Sequence, residues 1–292
     1  MSVMTIVIPV LVLGLLGVAF AALLASAFKR FAVQVNPKVE QVLALLPNAN
    51  CGACGFAGCQ GFAEGVVGLK AGVGGCLAGG PELAKKVAAI LGTAVETREQ
   101  EVAFVACQGG RSRTRDKFEY EGVVDCQAAA VLFGGAKACA WGCLGMGSCE
   151  RACAFDAIHV NADGVAVVDR EKCTGCTKCV KSCPHELISM VVKSQQVLVA
   201  CRNHDRGKRA KEVCDLSCTA CKICEKNCPY DAIHVLDNLA VIDFAKCTQC
   251  NICVEKCPQS TILNMGGKVA EAAAAAARAA GAQAVAASSA KE

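Results

Sequence analysis

The sequence predicts a mixed α+β chain: one long apolar helix, a small cysteine-bearing unit, then two copies of a β-α-β-β-α-β unit. Three observations predict it. Residues 3–28 carry no charge. Of the 292 residues 24 are cysteine, almost all in short-spaced groups. The second half repeats itself: Cys153-Ala-Phe-Asp156-Ala-Ile-His159-Val160 matches Cys228-Pro-Tyr-Asp231-Ala-Ile-His234-Val235, and Val167-Val168-Asp169 matches Val241-Ile242-Asp243.

The apolar run exceeds the roughly 20 residues that cross a bilayer. Lys29 and Arg30 follow at once, and no basic residue precedes it. The positive-inside rule then puts the amino terminus outside and everything after Lys29 in the cytoplasm. The expectation is a single-pass anchor (1–28) in the cell's inner, cytoplasmic membrane, touching lipid through residues 3–28, and a linker (29–35). The rival is a cleaved signal peptide ending near Ala25-Ser26-Ala27. The missing basic leader and the length of the run argue against it.

Residues 36–95 form the next unit. Val39, Val42, Leu43, Leu45 and Leu46 predict a short amphipathic helix ending at Pro47. Then Cys51, Cys54, Cys59 and Cys76 follow a C-x2-C-x4-C-x16-C spacing. Four thiolates with glycines between them suit one [4Fe-4S] cluster, because bare backbone N–H groups approach its sulfides.

Residues 96–194 and 195–265 are the two copies. Cys218, Cys221, Cys224, Cys228-Pro229 and Cys247, Cys250, Cys253, Cys257-Pro258 are each a C-x2-C-x2-C-x3-C-P run, the signature of a bacterial two-cluster ferredoxin. In that pattern the last cysteine serves the other cluster. Cys218, Cys221, Cys224 and Cys257 therefore hold one cube, and Cys247, Cys250, Cys253 and Cys228 the other. Zinc also uses C-x2-C pairs, but leaves the third cysteine and the Cys-Pro closure unexplained. Ile233–Leu236 with Leu239–Ile242, and Ala157–Val160 with Val165–Val168, read as hairpins between the cluster loops. Each copy is then a ferredoxin-like βαββαβ module.

The first copy is less regular. Cys173, Cys176, Cys179 and Cys183-Pro184 keep the pattern, whereas Cys139, Cys143, Cys149 and Cys153 are spaced x3, x5 and x3. By analogy, Cys139, Cys143 and Cys149 join Cys183, and Cys173, Cys176 and Cys179 join Cys153. Cys107, Cys126, Cys201 and Cys214 remain, two from each copy. They form either a further [4Fe-4S] site between the modules or four buried structural thiols. The chain is thus expected to hold five or six [4Fe-4S] clusters, with iron bound through these cysteines.

Basic loops follow the first strand of each copy: Arg111, Arg113, Arg115 and Lys117, then Arg202, Arg206, Lys208, Arg209 and Lys211. They suit docking of an acidic soluble ferredoxin, contact with anionic lipid, or simply a solvated loop. No aromatic interleaving or recognised fold points to nucleic acid. His159 and His234 occupy matched strand positions and read as structural. His185 and His204 have no demanded ligand role. Gly61, Gly65 and Gly68 follow a cluster loop, not a strand, so they are no dinucleotide fingerprint. Residues 266–292 are an alanine-rich tail. No catalytic residue is expected.

The stretch Leu46-Pro47-Asn-Ala-Asn-Cys51-Gly-Ala-Cys54-Gly-Phe-Ala-Gly-Cys59, behind an apolar anchor and before ferredoxin repeats, resembles the B subunits of the Rnf complex, the membrane ferredoxin:NAD oxidoreductase. A similar four-cysteine domain occurs in the iron–sulfur subunit of the corrinoid protein of acetyl-CoA pathways, but without this combination. The resemblance covers residues 1 to about 265. It implies an electron-transfer subunit with no catalytic site of its own. Such a subunit takes electrons from reduced ferredoxin and passes them to other subunits of an ion-translocating complex. A redox sensor or scaffold, or the electron-transfer subunit of another membrane oxidoreductase, is the alternative. A serial array of cubes favours a wire.

Overall fold

The computed structural model describes residues 3–31, 36–95 and 99–266. The alanine-rich tail beyond Gly266 and most of the 29–35 linker lie outside the described residues. Helix α1 (Val3–Phe31) runs unbroken for 29 residues. At 1.5 Å per residue it is about 43 Å long, more than the ~30 Å apolar core of a bilayer. Side chains from Leu11 to Phe28 are exposed, apart from half-exposed Ala27. Among the described residues it is the one helix long and apolar enough to cross a membrane.

Three helices build the next unit: α2 (Pro37–Leu45), α3 (Cys59–Val67) and α4 (Gly80–Leu91). Asn36 caps α2, its Oδ1 accepting the Lys38 N–H at 3.0 Å, with Pro37 preset for the first turn. Leu46 is already extended (ψ 148°) because Pro47 disfavours helix before it. Val39 and Val42, Phe62 and Val66, and Leu83 and Val87 recur at helical spacing and pack into one core.

The remaining chain follows one order twice. The first pass is β1 (Glu101–Val105), α5 (Cys126–Val131), α6 (Ser148–Arg151), β2 (Ile158–Val160), β3 (Ala166–Val168), α7 (Lys178–Ser182) and β4 (Ile188–Val192). The second is β5 (Val197–Val199), α8 (Gly207–Val213), α9 (Ile223–Lys226), β6 (Ile233–Leu236), β7 (Leu239–Ile242), α10 (Ile252–Lys256) and β8 (Ile262–Asn264). Outer strands pair antiparallel (β1 with β4, β5 with β8), and inner strands form hairpins (β2 with β3, β6 with β7). These are four separate two-stranded ladders.

Strand β5 serves both copies. Val197 lies in the core of the second copy, while Leu198, one residue on and facing the other way, lies in the core of the first. Its partner strand does the same: Ile262 faces the second core and Leu263 packs against the first. The two copies are therefore joined through a shared ladder.

Candidate metal centres

Four cavities are each ringed by four cysteines. One is lined by Cys51, Cys54, Cys59 and Cys76. A second is lined by Cys153, Cys173, Cys176 and Cys179, a third by Cys228, Cys247, Cys250 and Cys253, and a fourth by Cys218, Cys221, Cys224 and Cys257. These are the sets expected from the spacing. Their volumes, mouths included, fall between 330 and 360 Å³, so one size of guest suits all four. Among the described residues no three His, Cys, Asp or Glu side chains converge on a point that suits a single metal ion. Thiols held around a void, and not meeting at its centre, fit a four-iron cube better than a lone zinc ion.

The backbone of the regular loops explains this shape. In each, the residues flanking the middle cysteine have positive φ: Gly175 and Thr177 around Cys176, Ala220 and Lys222 around Cys221, Gln249 and Asn251 around Cys250. Five of these six are not glycine, and such a conformation costs an ordinary residue about 1–2 kcal/mol. It persists because the loop must curl around its guest. The fourth cysteines share another feature. Cys153, Cys183, Cys228 and Cys257 each accept an N–H from four residues on, at 3.4 Å (Ala157, Leu187, Ala232 and Thr261). Such N–H donors fix the direction of the sulfur and are part of the outer shell that orients a metal ligand. In the first unit, Asn50 Oδ1 accepts the Cys59 N–H at 2.9 Å. Gly58 (φ 113°) makes room for it, since a Cβ there would lie 2.8 Å from that oxygen.

The irregular cysteines come together differently from the arrangement expected by analogy. Burial pushes the Cys139 thiol up to about 12, and the neighbouring charges of Cys107, Cys201 and Cys214 push the same way. Burial likewise holds Cys149 at about 12, with Cys143, Cys126 and Cys183 as its charged neighbours. Cys183 is raised by burial, then by Cys143 and Cys126. So Cys139 sits with Cys107, Cys201 and Cys214, and Cys126 sits with Cys143, Cys149 and Cys183. The pairing expected by analogy places Cys126 with Cys107, Cys201 and Cys214, and Cys139 with Cys143, Cys149 and Cys183.

Hydrogen bonds hold Cys126 beside the loop from Cys143 to Cys149. The Cys126 N–H donates to Ser148 Oγ at 2.8 Å, beside Cys149. Asp125 Oδ2 accepts from Ser148 Oγ (2.8 Å) and from Arg151 Nη2 (3.0 Å), clamping α5 onto that loop. Gly145 and Gly147 (φ 71° and 73°) occupy the two left-handed positions of a regular loop, and Met146 stands between them where the middle cysteine belongs. Cys126 has its backbone N–H bonded to Ser148, beside that loop's last cysteine. Cys139 and Cys214 correspond in spacing, each lying in a C-x3-C pair with Cys143 or Cys218.

Adjacent sets touch. The Cys143 N–H donates to Cys107 Sγ, and the Cys218 N–H to Cys201 Sγ, both at 3.4 Å. At the other end Cys176, raised by burial, has Cys51 of the first unit among its charged neighbours. The histidine rings have other polar partners. His159 and His234 face Glu150 (3.3 Å) and Glu225 (3.7 Å). His204 lies against Trp141 and Asp237, and His185 Nδ1 is 2.7 Å from the Gly142 carbonyl.

Comparison with known proteins points to iron–sulfur binding in three segments. Residues 46–78 match the family described as a putative Fe-S cluster, residues 165–188 a 4Fe-4S binding domain and residues 217–263 a 4Fe-4S dicluster domain. The chain is 45% identical to the B subunit of the Na(+)-translocating ferredoxin:NAD(+) oxidoreductase complex of Acetobacterium woodii, over 82% of this chain and 72% of that one. It is 44% identical to the B subunit of the ion-translocating oxidoreductase complex of Methanosarcina acetivorans, over 80% and 89% of the two chains. It is 40% identical to the B subunit of the proton-translocating ferredoxin:NAD(+) oxidoreductase complex of Clostridium ljungdahlii, over 82% and 84%. With these identities over most of both chains, the protein belongs to the B-subunit family of Rnf-type ion-translocating oxidoreductase complexes.

Proposed function

We propose that this chain is the membrane-anchored electron relay of an ion-translocating ferredoxin:NAD oxidoreductase complex, taking electrons from reduced soluble ferredoxin and handing them to the other subunits. Bound [4Fe-4S] clusters supply one-electron transfer without group or proton chemistry. The chain supplies thiolates, N–H donors, burial and spacing.

Six ligand sets use all 24 cysteines. In order they are Cys51, Cys54, Cys59 and Cys76; Cys153, Cys173, Cys176 and Cys179; Cys126, Cys143, Cys149 and Cys183; Cys107, Cys139, Cys201 and Cys214; Cys218, Cys221, Cys224 and Cys257; Cys228, Cys247, Cys250 and Cys253. The observation that carries this reading is that Cys139 packs with Cys214 in one buried cluster, while Gly109 lies against both Cys214 Sγ and Cys107 Sγ. That set draws on both copies and turns two separate modules into one row.

The unit boundaries follow: an anchor at 1–28, a four-cysteine unit at 36–95, and modules at 96–194 and 195–265. Lys29 and Arg30 at the end of α1 support a single-pass anchor with the soluble part on the cytoplasmic side. Ferredoxin docks on the face where the basic loops of both copies meet. The Asp215 N–H bonds the Arg113 carbonyl at 3.0 Å, and the Arg115 N–H bonds the Val213 carbonyl at 3.3 Å. Arg113, Arg206, Lys208 and Lys211 are exposed there.

Iron and acid-labile sulfide per chain test the reading on anaerobically purified full-length protein. Six cubes give about 24 of each, whereas about 20 leaves one set as plain thiols. Zinc with little iron would overturn electron relay altogether.

A further inference from the structure

The loop between Cys139 and Cys143 joins two ligand sets, and Lys137 is buried against it at 6% exposure. Its backbone is held by flanking bonds, with the Lys117 N–H donating to the Ala136 carbonyl (2.6 Å) and the Ala138 N–H to the Arg115 carbonyl (2.7 Å). Its Nζ donates to the Gly109 carbonyl at 2.7 Å. Gly109 lies against the sulfurs: a Cβ built on it would be 3.2 Å from Cys214 Sγ and 3.8 Å from Cys107 Sγ. The aliphatic stem crosses the joining loop, since a Cβ on Gly142 would be 3.6 Å from Lys137 Cδ and 3.4 Å from Cys139 Cβ. Among the described residues no carboxylate pairs with this ammonium. Burying an unpaired cation is costly unless negative charge is close. Here the close negative charge is thiolate.

We propose that Lys137 is a potential-setting residue, a fixed positive charge that raises the reduction potential of the set formed by Cys107, Cys139, Cys201 and Cys214 above those of its neighbours. The inference rests on the ligand sets proposed above. Four thiolates on a cube leave net negative charge, and reduction adds one electron more. A buried cation at this distance stabilises the reduced form over the oxidised one, and burial keeps solvent from screening it. The same charge opposes the burial-driven rise of the Cys107, Cys143 and Cys214 thiols, which belong to both adjoining sets. The second copy has no such charge. Two residues before Cys214, where Lys137 precedes Cys139, stands Glu212, exposed and paired with Arg209 at 3.6 Å. The pseudo-twofold is therefore broken electrostatically at the junction of the modules, and this set becomes the point in the row where an electron rests most stably.

The test is an EPR-monitored redox titration of full-length, anaerobically purified wild type, Lys137→Met and Lys137→Arg, with iron measured on each. The expected result is one component of Lys137→Met displaced to lower potential by a tenfold or greater change in its reduced-to-oxidised ratio, about 59 mV for a one-electron couple. Iron stays at about 24 per chain and Lys137→Arg titrates like wild type. Superimposable titrations at equal iron would overturn the role of Lys137 and leave the ligand sets standing. So would loss of about four iron atoms in Lys137→Met, which marks a structural residue. Wild type holding only about 20 iron would overturn the ligand sets and the inference together.

Discussion

At Met146 the proposed ligand sets turn on a single missing thiol. The loop from Cys143 to Cys149 has the length and the left-handed positions of a regular cluster loop, with methionine at its centre. Cys126 fills that place from outside the loop. Cys126→Ser should therefore lose about four iron atoms per chain, and adding Met146→Cys should restore them. Iron content checks this, and a double variant no better than Cys126→Ser would contradict it. The signal was legible: C-x5-C is C-x2-M-x2-C with one letter changed. Counting cysteines alone hid it, because Cys139 offered a fourth thiol at short range. The raised thiols also give a pH dependence. Cys139, Cys149, Cys179 and Cys224 are held at about 12, mainly by burial. Each must shed a proton to bind iron, so cluster affinity rises with pH. Iron retained against a fixed chelator should fall as the pH is lowered from 8 toward 6, by an amount that a pH-independent site would not show.

Elements were readable wherever the interaction was local. The turn of the β6–β7 hairpin is Asp237-Asn238, with φ of 45° and 60°, the two left-handed positions of a type I′ turn. Asn238→Gly should hold or raise stability, and Asn238→Val should lower it by about 1–2 kcal/mol. Denaturant unfolding of the holoprotein, in which equal midpoints would refute the turn argument, checks it. Ala220, left-handed beside Cys221, should behave alike: Ala220→Gly is accepted and Ala220→Val weakens cluster retention. The hairpins and the helix stopped by Pro47 followed from alternation and from proline. The sharing of β5 and β8 between two cores did not. The unbroken apolar run Val197 to Val199 says that both faces are covered, but not that each face belongs to a different module.

At the scale of the molecule, the repeat itself was plain in the sequence, as were the four groups of four cysteines that line cavities. Its alignment was not, because the stretch between β1 and Cys139 is longer than that between β5 and Cys214 and carries α5. The copies become a relay only when Cys139 and Cys214 are seen as equivalents. The basic face above their shared set predicts a rate effect. Reversing Arg113 and Lys208 should slow electron exchange with an acidic ferredoxin several-fold at low salt and much less at high salt. An unchanged stopped-flow rate at low ionic strength would move docking elsewhere. The central claim is the set that joins the modules, and paired cysteine variants test it most directly. If Cys107 and Cys139 hold the same cube, Cys107→Ala with Cys139→Ala should retain about 20 iron atoms, the same as either alone, while Cys107→Ala with Cys126→Ala should retain about 16. The reverse pattern, about 16 for the first pair and about 20 for the second, would return Cys126 to the bridging set and contradict the account.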